Sequence, residues 1–216
     1  MNEPLPTVYV VDDEPSVRKS LARLLRSAGY QAETFATAAE FLSYRRVHDT
    51  PGCLVLDVEM PAVSGLELQR ELLDSTNPIP IVFITGHGDI PMSVTAMKAG
   101  AVDFLSKPFQ EEDLLEAIRE ASASGRRKRA EYAERTAIQE LYDSLTPRER
   151  EVLAMVVRGL PNKQIASKLG IVEKTIKVHR GRVMSKMQVR SVAELVQVAL
   201  KIEIKPGSTA NATQVT

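Results

Sequence analysis

Residues 9–15 read YVVDDEP, an apolar run that ends in three consecutive acids, Asp12, Asp13 and Glu14. Val and Tyr are enriched in strands, and a short uninterrupted apolar run is typical of a strand buried on both faces. Neighbouring carboxylates repel one another, and each is costly to remove from water. The stretch therefore predicts a strand that ends at an edge where water or a positive group compensates the acids.

The same alternation of apolar strands and amphipathic helices continues through the first half of the chain. The predicted strands are TVYVV, QAETF, CLVL, IPIVFIT and VDFLS. The predicted helices are Ser16–Ala28, Ala38–Tyr44, GLELQRELLD, IPMSVTAMKAG and EEDLLEAIREA. Strands that alternate with helices form parallel sheets covered on both faces. We therefore predict an α/β domain over residues 1–124, built on a five-stranded doubly wound parallel sheet.

Five polar residues fall at the carboxyl ends of these strands, where ligands gather in such sheets. They are Asp12, Asp13, Asp57, Thr85 and Lys107. Three converging carboxylates suit a hard divalent cation such as Mg²⁺ or Mn²⁺, which also accepts phosphate oxygens. Because the cation offsets the repulsion, Asp57 becomes a candidate nucleophile toward a phosphoryl group. Thr85 and Lys107 would hold the remaining phosphoryl oxygens.

Length and charge indicate two domains with different partners. The chain has 216 residues, more than a typical single domain. Residues 1–124 carry 10 Lys+Arg and 19 Asp+Glu, whereas residues 125–216 carry 18 and 9. A basic half is a candidate for binding nucleic acid. Because the sequence contains no apolar run long enough for a membrane span and no secretory signal, we expect a cytoplasmic protein with no membrane partner.

The second half of the chain reads as helical throughout. Residues 125–142 are charged and rich in helix formers, which predicts a linker helix. Continuity with the preceding helix is one possibility, although Gly125 weakens it. This helix is either solvated or forms a dimer through Tyr132, Ala133, Ile138 and Leu141. Residues 143–205 predict a small all-α domain of four helices, in which NKQIASKLG and EKTIKVHRGRVMSKM form a helix-turn-helix. The polar tail, residues 206–216, is predicted to be disordered.

The strand-end residues, taken with their surroundings, resemble the receiver domain of two-component response regulators. The motifs are Asp12-Asp13, LVLDVEMPAVSG around Asp57, Thr85 in ITGHGD and Lys107 in FLSKPF. The resemblance implies a flavodoxin-like fold and transfer of a phosphoryl group to Asp57 from a sensor histidine kinase. It implies that Asp13, Asp57 and the backbone carbonyl of Glu59 ligate the metal, while Asp12 acts through water. It also implies a switch formed by Thr85, Phe104 and Pro108, with a cis Lys107–Pro108 bond.

The second half resembles the LuxR-type four-helix DNA-binding domain, from LTPREREVL to the recognition helix EKTIKVHRGRVMSKM. This helix carries cations at Lys174, Lys177, Arg180 and Arg182, a pattern also found on merely solvated helices. The resemblance implies that the residues facing base edges are Lys177, Val178, Arg180 and Gly181. It implies that the residues at phosphates are Asn162, Lys163, Thr175 and His179. The resemblance also implies that Glu149 is an acid with a structural role in the core and not a DNA-binding residue. Val172 departs from the family, because it stands where Ser or Thr usually caps the helix.

The combined resemblance predicts a DNA-binding response regulator of the FixJ/NarL type, controlled by phosphorylation of Asp57 and not itself a turnover enzyme. Its expected partners are a sensor histidine kinase, double-stranded operator DNA, RNA polymerase and a second copy of the chain that binds on phosphorylation. Two alternatives stay open at this point. One is an aspartyl-phosphate phosphatase or phosphotransferase with an accessory helical domain, and the other is a pseudo-receiver that binds DNA without modification.

Overall fold

The computed structural model describes residues 7–44, 52–73, 79–86 and 90–202. The predicted disordered tail, residues 206–216, lies outside this part of the chain. Contacts divide the chain into two compact units, residues 1–130 and residues 131–216. The first unit is α/β and the second is all-helical, as predicted, and each has its own hydrophobic core.

Strands and helices alternate along the first unit. The elements are β1 (Thr7–Val11), α1 (Pro15–Ser27), β2 (Gln31–Phe35), α2 (Ala38–Ser43), β3 (Gly52–Asp57), α3 (Gly65–Leu73), β4 (Ile81–Thr85), α4 (Ile90–Lys98), β5 (Asp103–Ser106) and α5 (Glu111–Asp143). The strands form one sheet in the order β2-β1-β3-β4-β5, and all neighbours are parallel. This confirms the predicted doubly wound architecture.

Alternate residues of the central strands enter two separate cores, one on each face of the sheet. Val8 and Val10 of β1 pack with residues of α1 and α5, whereas Tyr9 and Val11 pack with residues of α2, α3 and α4. Both faces are therefore apolar, which explains why β1, β3 and β4 read as continuous apolar runs. Polar residues of these strands are confined to their ends.

Helix α5 passes through Gly125 without a break. The linker helix is therefore continuous with the preceding helix, a possibility that Gly125 had weakened, and packing gives the reason for the glycine. A Cβ atom added at Gly125 would lie 2.8 Å from the Pro80 side chain, so glycine is required where the helix closely approaches that ring. Although α5 is long, it is highly charged, and none of the helices in the described ranges is both long and apolar enough to cross a membrane.

The second unit consists of the end of α5 and four further helices. These are α6 (Pro147–Val157), α7 (Asn162–Leu169), α8 (Glu173–Lys186) and α9 (Val192–Lys201). Gly170 ends α7 with a left-handed φ of 66° and begins the turn into α8. Ile138 belongs to the core of this unit and Leu141 packs against it, so two of the four residues considered for a dimer-forming helix stabilise the unit itself.

Candidate functional site

The predicted polar residues meet at the carboxyl edge of the sheet. Val11 pairs with Leu56 and Asp57 pairs with Ile84, so the residues that follow β1 lie beside the end of β3. Thr85 pairs with Ser106, and its carbonyl accepts a hydrogen bond of 2.7 Å from the Lys107 N–H. Parallel register therefore brings together residues that are far apart in the sequence.

Lys107 joins two of the acids. Its Nζ atom lies 2.9 Å from Oδ2 of Asp12 and 2.8 Å from Oδ2 of Asp57. Burial lowers the pKa of Lys107, but the hydrogen bonds to Asp12 and Asp57 outweigh this effect and leave the pKa above its ordinary value. Burial raises the pKa of Asp57 and outweighs the opposing effects of Lys107 and the Glu59 N–H. The ammonium group compensates two carboxylates that would otherwise repel each other in a buried position.

The three acids differ in exposure and in their partners. Carboxylate oxygens of Asp12, Asp13 and Asp57 lie within 4.8 Å of one another, a spacing at which one cation can bind all three. Asp12 is fully buried, and its Oδ1 atom accepts a hydrogen bond from the Glu14 N–H. Asp13 is exposed, and within the described chain its carboxylate has no hydrogen-bond or ion-pair partner. This all-oxygen donor set fits Mg²⁺ or Mn²⁺, with Asp13 the most available ligand.

The predicted switch residues lie beside this cluster. Thr85 is fully buried at the end of β4. Phe104 is half-buried on β5, and its ring centroid lies 6.1 Å from that of Phe83. The Lys107–Pro108 peptide bond is cis, as the resemblance implies. The structure thus places the Thr85 hydroxyl at the end of β4, the Phe104 ring on β5 and the Lys107 ammonium just beyond β5.

Two residues that were not predicted from the sequence lie against the backbone carbonyl groups of Asp57 and Asp12. A Cβ atom added at Gly65 would lie 2.3 Å from the carbonyl oxygen of Asp57, so only glycine fits there. This glycine ends the quoted motif LVLDVEMPAVSG, which was the available signal. Arg18 donates a hydrogen bond of 2.6 Å to the carbonyl oxygen of Asp12. Nothing local in the sequence reveals this contact, because α1 carries several other cations.

Helix α8 separates a buried stripe from an exposed face. The predicted apolar side is confirmed, since Ile176, Val183 and Met187 are at most 1% exposed. The opposite face carries the exposed residues Lys174, Lys177, Val178, Gly181 and Arg182. The Val172 side chain makes no capping hydrogen bond, as predicted. An exposed apolar side chain among cations is a surface that can contact both base edges and phosphates.

The remaining residues predicted to contact DNA lie at the rim of this face. Thr175, His179 and Arg180 are half-buried, and Lys163 is exposed in the first turn of α7. Arg180 donates a hydrogen bond of 3.0 Å from Nη1 to Oδ1 of Asn162. The predicted base-reading residue and the predicted phosphate-binding residue are therefore in direct contact.

Glu149 is confirmed as a structural acid. It is 2% exposed, and its Oε2 atom accepts hydrogen bonds from Lys186 Nζ at 2.7 Å and from the Thr146 N–H at 2.9 Å. Its own N–H donates to the Thr146 hydroxyl, which completes a capping box at the start of α6. Glu149 therefore fixes α6 to α8 and does not face DNA.

Comparison with known proteins defines the class. The family model of the response regulator receiver domain matches residues 8–119, and the model of the luxR family of bacterial regulatory proteins matches residues 143–199. Nodulation protein W of Bradyrhizobium diazoefficiens is 47% identical over 204 residues, which cover 94% of this chain and 88% of that protein. Transcriptional regulatory protein FixJ of Rhizobium meliloti is 46% identical over 194 residues, covering 90% and 95%.

Solved structures of similar proteins indicate the same class as the sequence relatives. Response regulator StyR is 52% identical with a TM-score of 0.80, covering 92% of this chain and all of that one. Full-length FixJ from B. japonicum is 40% identical with a TM-score of 0.56, covering 93% and 98%. The chain belongs to the two-component response regulators that combine a receiver with a LuxR-type DNA-binding domain. It is a transcriptional regulator, and the phosphatase or phosphotransferase alternative is excluded by this membership.

Proposed function

We propose that Asp57 accepts a phosphoryl group from a sensor histidine kinase in the presence of Mg²⁺ or Mn²⁺. The proposal depends chiefly on one observation, the nearly buried Asp57 carboxylate lying among two further acids and 2.8 Å from Lys107. Asp13, Asp57 and the Glu59 carbonyl would hold the cation directly and Asp12 would hold it through water, and the cation supplies positive charge to the phosphoryl oxygens.

The residues of the chain take distinct parts in the transfer. A carboxylate oxygen of Asp57 attacks phosphorus, the bond from phosphorus to the kinase histidine nitrogen breaks, and the histidine leaves. Lys107, which now bonds Oδ2 of Asp57, would move its hydrogen bond to a phosphoryl oxygen. Thr85 would donate its hydroxyl to another oxygen, and Phe104 would follow it inward toward Pro108. Charge stabilisation and positioning are the usual means of catalysing this chemistry.

Phosphoryl uptake from a small donor tests the site. With acetyl phosphate and Mg²⁺, we expect the wild type to take up a single phosphoryl group and Asp57→Asn to take up none. Asp13→Ala should lose uptake through loss of the cation, whereas Lys107→Ala should impair signalling more than metal binding. Glu33→Gln, an exposed change on β2, is the matched control. Phosphorylation of the Asp57→Asn protein would show that another residue is the phosphoacceptor. A wild type that takes up no phosphoryl group would favour the pseudo-receiver alternative.

We also propose that the exposed face of α8 enters the major groove of double-stranded operator DNA. Lys177, Val178 and Gly181 would lie at base edges, with Lys174 and Arg182 beside them, while Lys163 and Thr175 face phosphates. His179, at the rim, would orient on a phosphate. The exposure of the outer residues supports this assignment. A regulator bound in this way would act on RNA polymerase, and the cytoplasm is its expected location because its DNA is there.

Two substitutions separate phosphate contacts from base contacts. Lys163→Ala should weaken binding equally on all sequences and flatten its salt dependence, because phosphates carry no sequence information. Lys177→Ala should change which sequence is preferred, since a base-edge contact is worth about 1–3 kcal/mol of discrimination. Binding measurements on selected and random duplexes check both. Equal losses on both duplexes for both variants would contradict the division of roles.

Control by phosphorylation would operate through dimerisation. The surface formed by α4 and β5 exposes Ile90, Val94 and Met97, the first of them 79% exposed. Movement of Thr85 and Phe104 on phosphorylation would reshape this surface and favour pairing of two copies, which raises operator affinity. Sedimentation with and without a phosphodonor tests this, and dimers of equal strength in both states would refute it.

The predicted domain limits remain proposals: a receiver over 1–124, a linker helix over 125–142 and a DNA-binding domain over 143–205. Because Ile138 lies in the helical core, a DNA-binding fragment should begin near Glu131 to be stable. Such a fragment is expected to bind DNA without a phosphodonor.

A further inference from the structure

Arg180 is displaced from the outward face of α8. At about 100° per residue, it lies about 40° from the centre of the stripe formed by Ile176, Val183 and Met187. It lies about 130° from the centre of the exposed face, which is near Lys174. The half-burial of its side chain agrees with this position. A residue in this orientation faces α7 at the rim and is poorly placed to reach a base edge in the groove.

Within the described part of the chain, Arg180 is also a cation that has no acidic partner. Four Arg and Lys side chains of the second unit are half-buried within the described range: Arg148, Arg150, Arg180 and Lys186. The other three each pair with a carboxylate, at 2.6 to 3.3 Å. Among the residues that the structure describes, the guanidinium of Arg180 bonds only the neutral amide of Asn162. Partial burial of an unpaired cation costs free energy because the cation loses hydration. An anion from another molecule that pairs with the cation would offset this cost.

The contact with Arg180 fixes the orientation of the Asn162 amide. A guanidinium can only donate hydrogen bonds, so the amide oxygen must face Arg180 and the amide NH₂ group faces away. Asn162 is the first residue of α7, and Lys163 follows it on the exposed side. Because this contact uses one N–H of the guanidinium and only the oxygen of the amide, the other guanidinium N–H donors and the amide NH₂ group remain to bind an anion at this rim.

We propose that Asn162 and Arg180 form a single clamp for one backbone phosphate of DNA, and that Arg180 does not read a base. The inference rests on the proposed DNA-binding function and assigns to Arg180 a different contact from the one that the resemblance implies. Arg180 supplies the charge, because its guanidinium matches the geometry of a phosphate. Asn162 is the positioning residue that holds the guanidinium and adds one donor.

The test is a double-mutant cycle in the full-length protein. The probes are a duplex enriched by the wild type from a random-sequence library and a scrambled duplex of the same length. Arg180→Ala and Asn162→Ala should each weaken binding about 10- to 100-fold on both duplexes, the range for one charge-assisted hydrogen bond. The double variant should bind about as weakly as the weaker single variant. Arg180→Ala should also reduce the salt slope by about 1.

A conservative variant distinguishes the clamp from a structural role. Asn162→Asp keeps an acceptor for Arg180 but repels a phosphate, so it should bind DNA no better than Asn162→Ala. Lys168→Ala, an exposed change at the end of α7, is the matched control and should add independently to Arg180→Ala. Melting temperatures verify folding, and Arg180→Gln replaces Arg180→Ala if the latter unfolds.

Three results would overturn the clamp in a wild type that binds DNA. A loss confined to the enriched duplex in Arg180→Ala would restore a base-reading role. Additive losses in the double variant would make Asn162 and Arg180 independent contacts. Wild-type DNA affinity in Asn162→Asp would show that Asn162 stabilises the fold and does not contact a phosphate. A wild type that enriches no sequence and binds neither duplex would instead overturn the proposed function, and the clamp with it.

Discussion

Replacing Glu149 by Gln should destabilise the second unit markedly, although the two side chains have the same shape. The carboxylate is buried and accepts hydrogen bonds from Lys186 and from the first turn of α6. The amide of Gln retains an acceptor for the Thr146 N–H but loses the charge that holds the Lys186 ammonium. The contact between α6 and α8 should weaken, and with it the support of the proposed recognition helix.

The magnitude follows from the titration of the carboxyl group. The hydrogen bond from Lys186, followed by that from the Thr146 N–H, lowers the pKa of Glu149 from 4.5 to about 2. At about 1.4 kcal/mol per pKa unit, ionisation stabilises the folded unit by about 3 kcal/mol. Since Lys186 is 36% exposed, water screens part of this attraction. We therefore expect Glu149→Gln to cost about 2 kcal/mol at neutral pH.

Scanning calorimetry of the whole protein measures this cost. Hydrogen exchange in α6 and α8 identifies which unfolding transition belongs to the second unit. For a unit of this size, about 2 kcal/mol corresponds to a fall in melting temperature of about 8–16 °C. The folded pKa lies below the unfolded one, so the stabilisation is complete above about pH 5 and is lost as pH falls through about 4.5 toward 2. The difference between wild type and variant should shrink over that window.

Glu134→Gln is the matched control in the same unit. Glu134 pairs with Lys201, but both side chains are about half exposed, so the pair is worth about 0–1 kcal/mol. Equal falls in melting temperature for the two variants would show that burial does not strengthen the Glu149 pair. A difference between wild type and Glu149→Gln that persists unchanged at pH 3 would refute the assigned pKa.

Four further outcomes are expected. Gly65→Ala places a carbon 2.3 Å from the carbonyl oxygen of the proposed phosphoacceptor, so it should cost about 1–3 kcal/mol in urea unfolding and slow phosphoryl uptake. Gly125→Ala should destabilise the first unit by a similar amount, because the added carbon meets Pro80 at 2.8 Å. The helical Gly181 has no such neighbour, so Gly181→Ala should raise stability by about 0.5–1 kcal/mol in thermal unfolding, and a gain at both positions would contradict the packing argument. Burial raises the pKa of Cys53 to about 12, so its thiol should react with a disulfide reagent at pH 8 only after urea unfolds the protein. Rapid labelling of the native protein would show that the thiol is accessible.

The sequence by itself determined the architecture and the location of the first site. Apolar runs that end in acids or a threonine define strands buried on both faces, and parallel strands place their carboxyl ends at one edge. This rule was sufficient to predict where the proposed site lies, because Asp12, Asp57, Thr85 and Lys107 each follow or end a strand. The helical spacing of Ile176, Val183 and Met187 likewise predicted the buried side of α8.

Only the tertiary structure decided which of these groups touch. Lys107 bonds Asp12 across 95 positions of sequence, and that contact depends on the register of strands that the pattern does not specify. Gly125 weakened the prediction of a continuous helix, yet the helix continues through it, and the residue is glycine because Pro80 approaches too closely for a larger side chain. Arg180 read as one of several outward cations until its bond to Asn162 placed it at the rim. Periodicity is a local property that one segment carries alone, whereas a contact between elements depends on how both are packed.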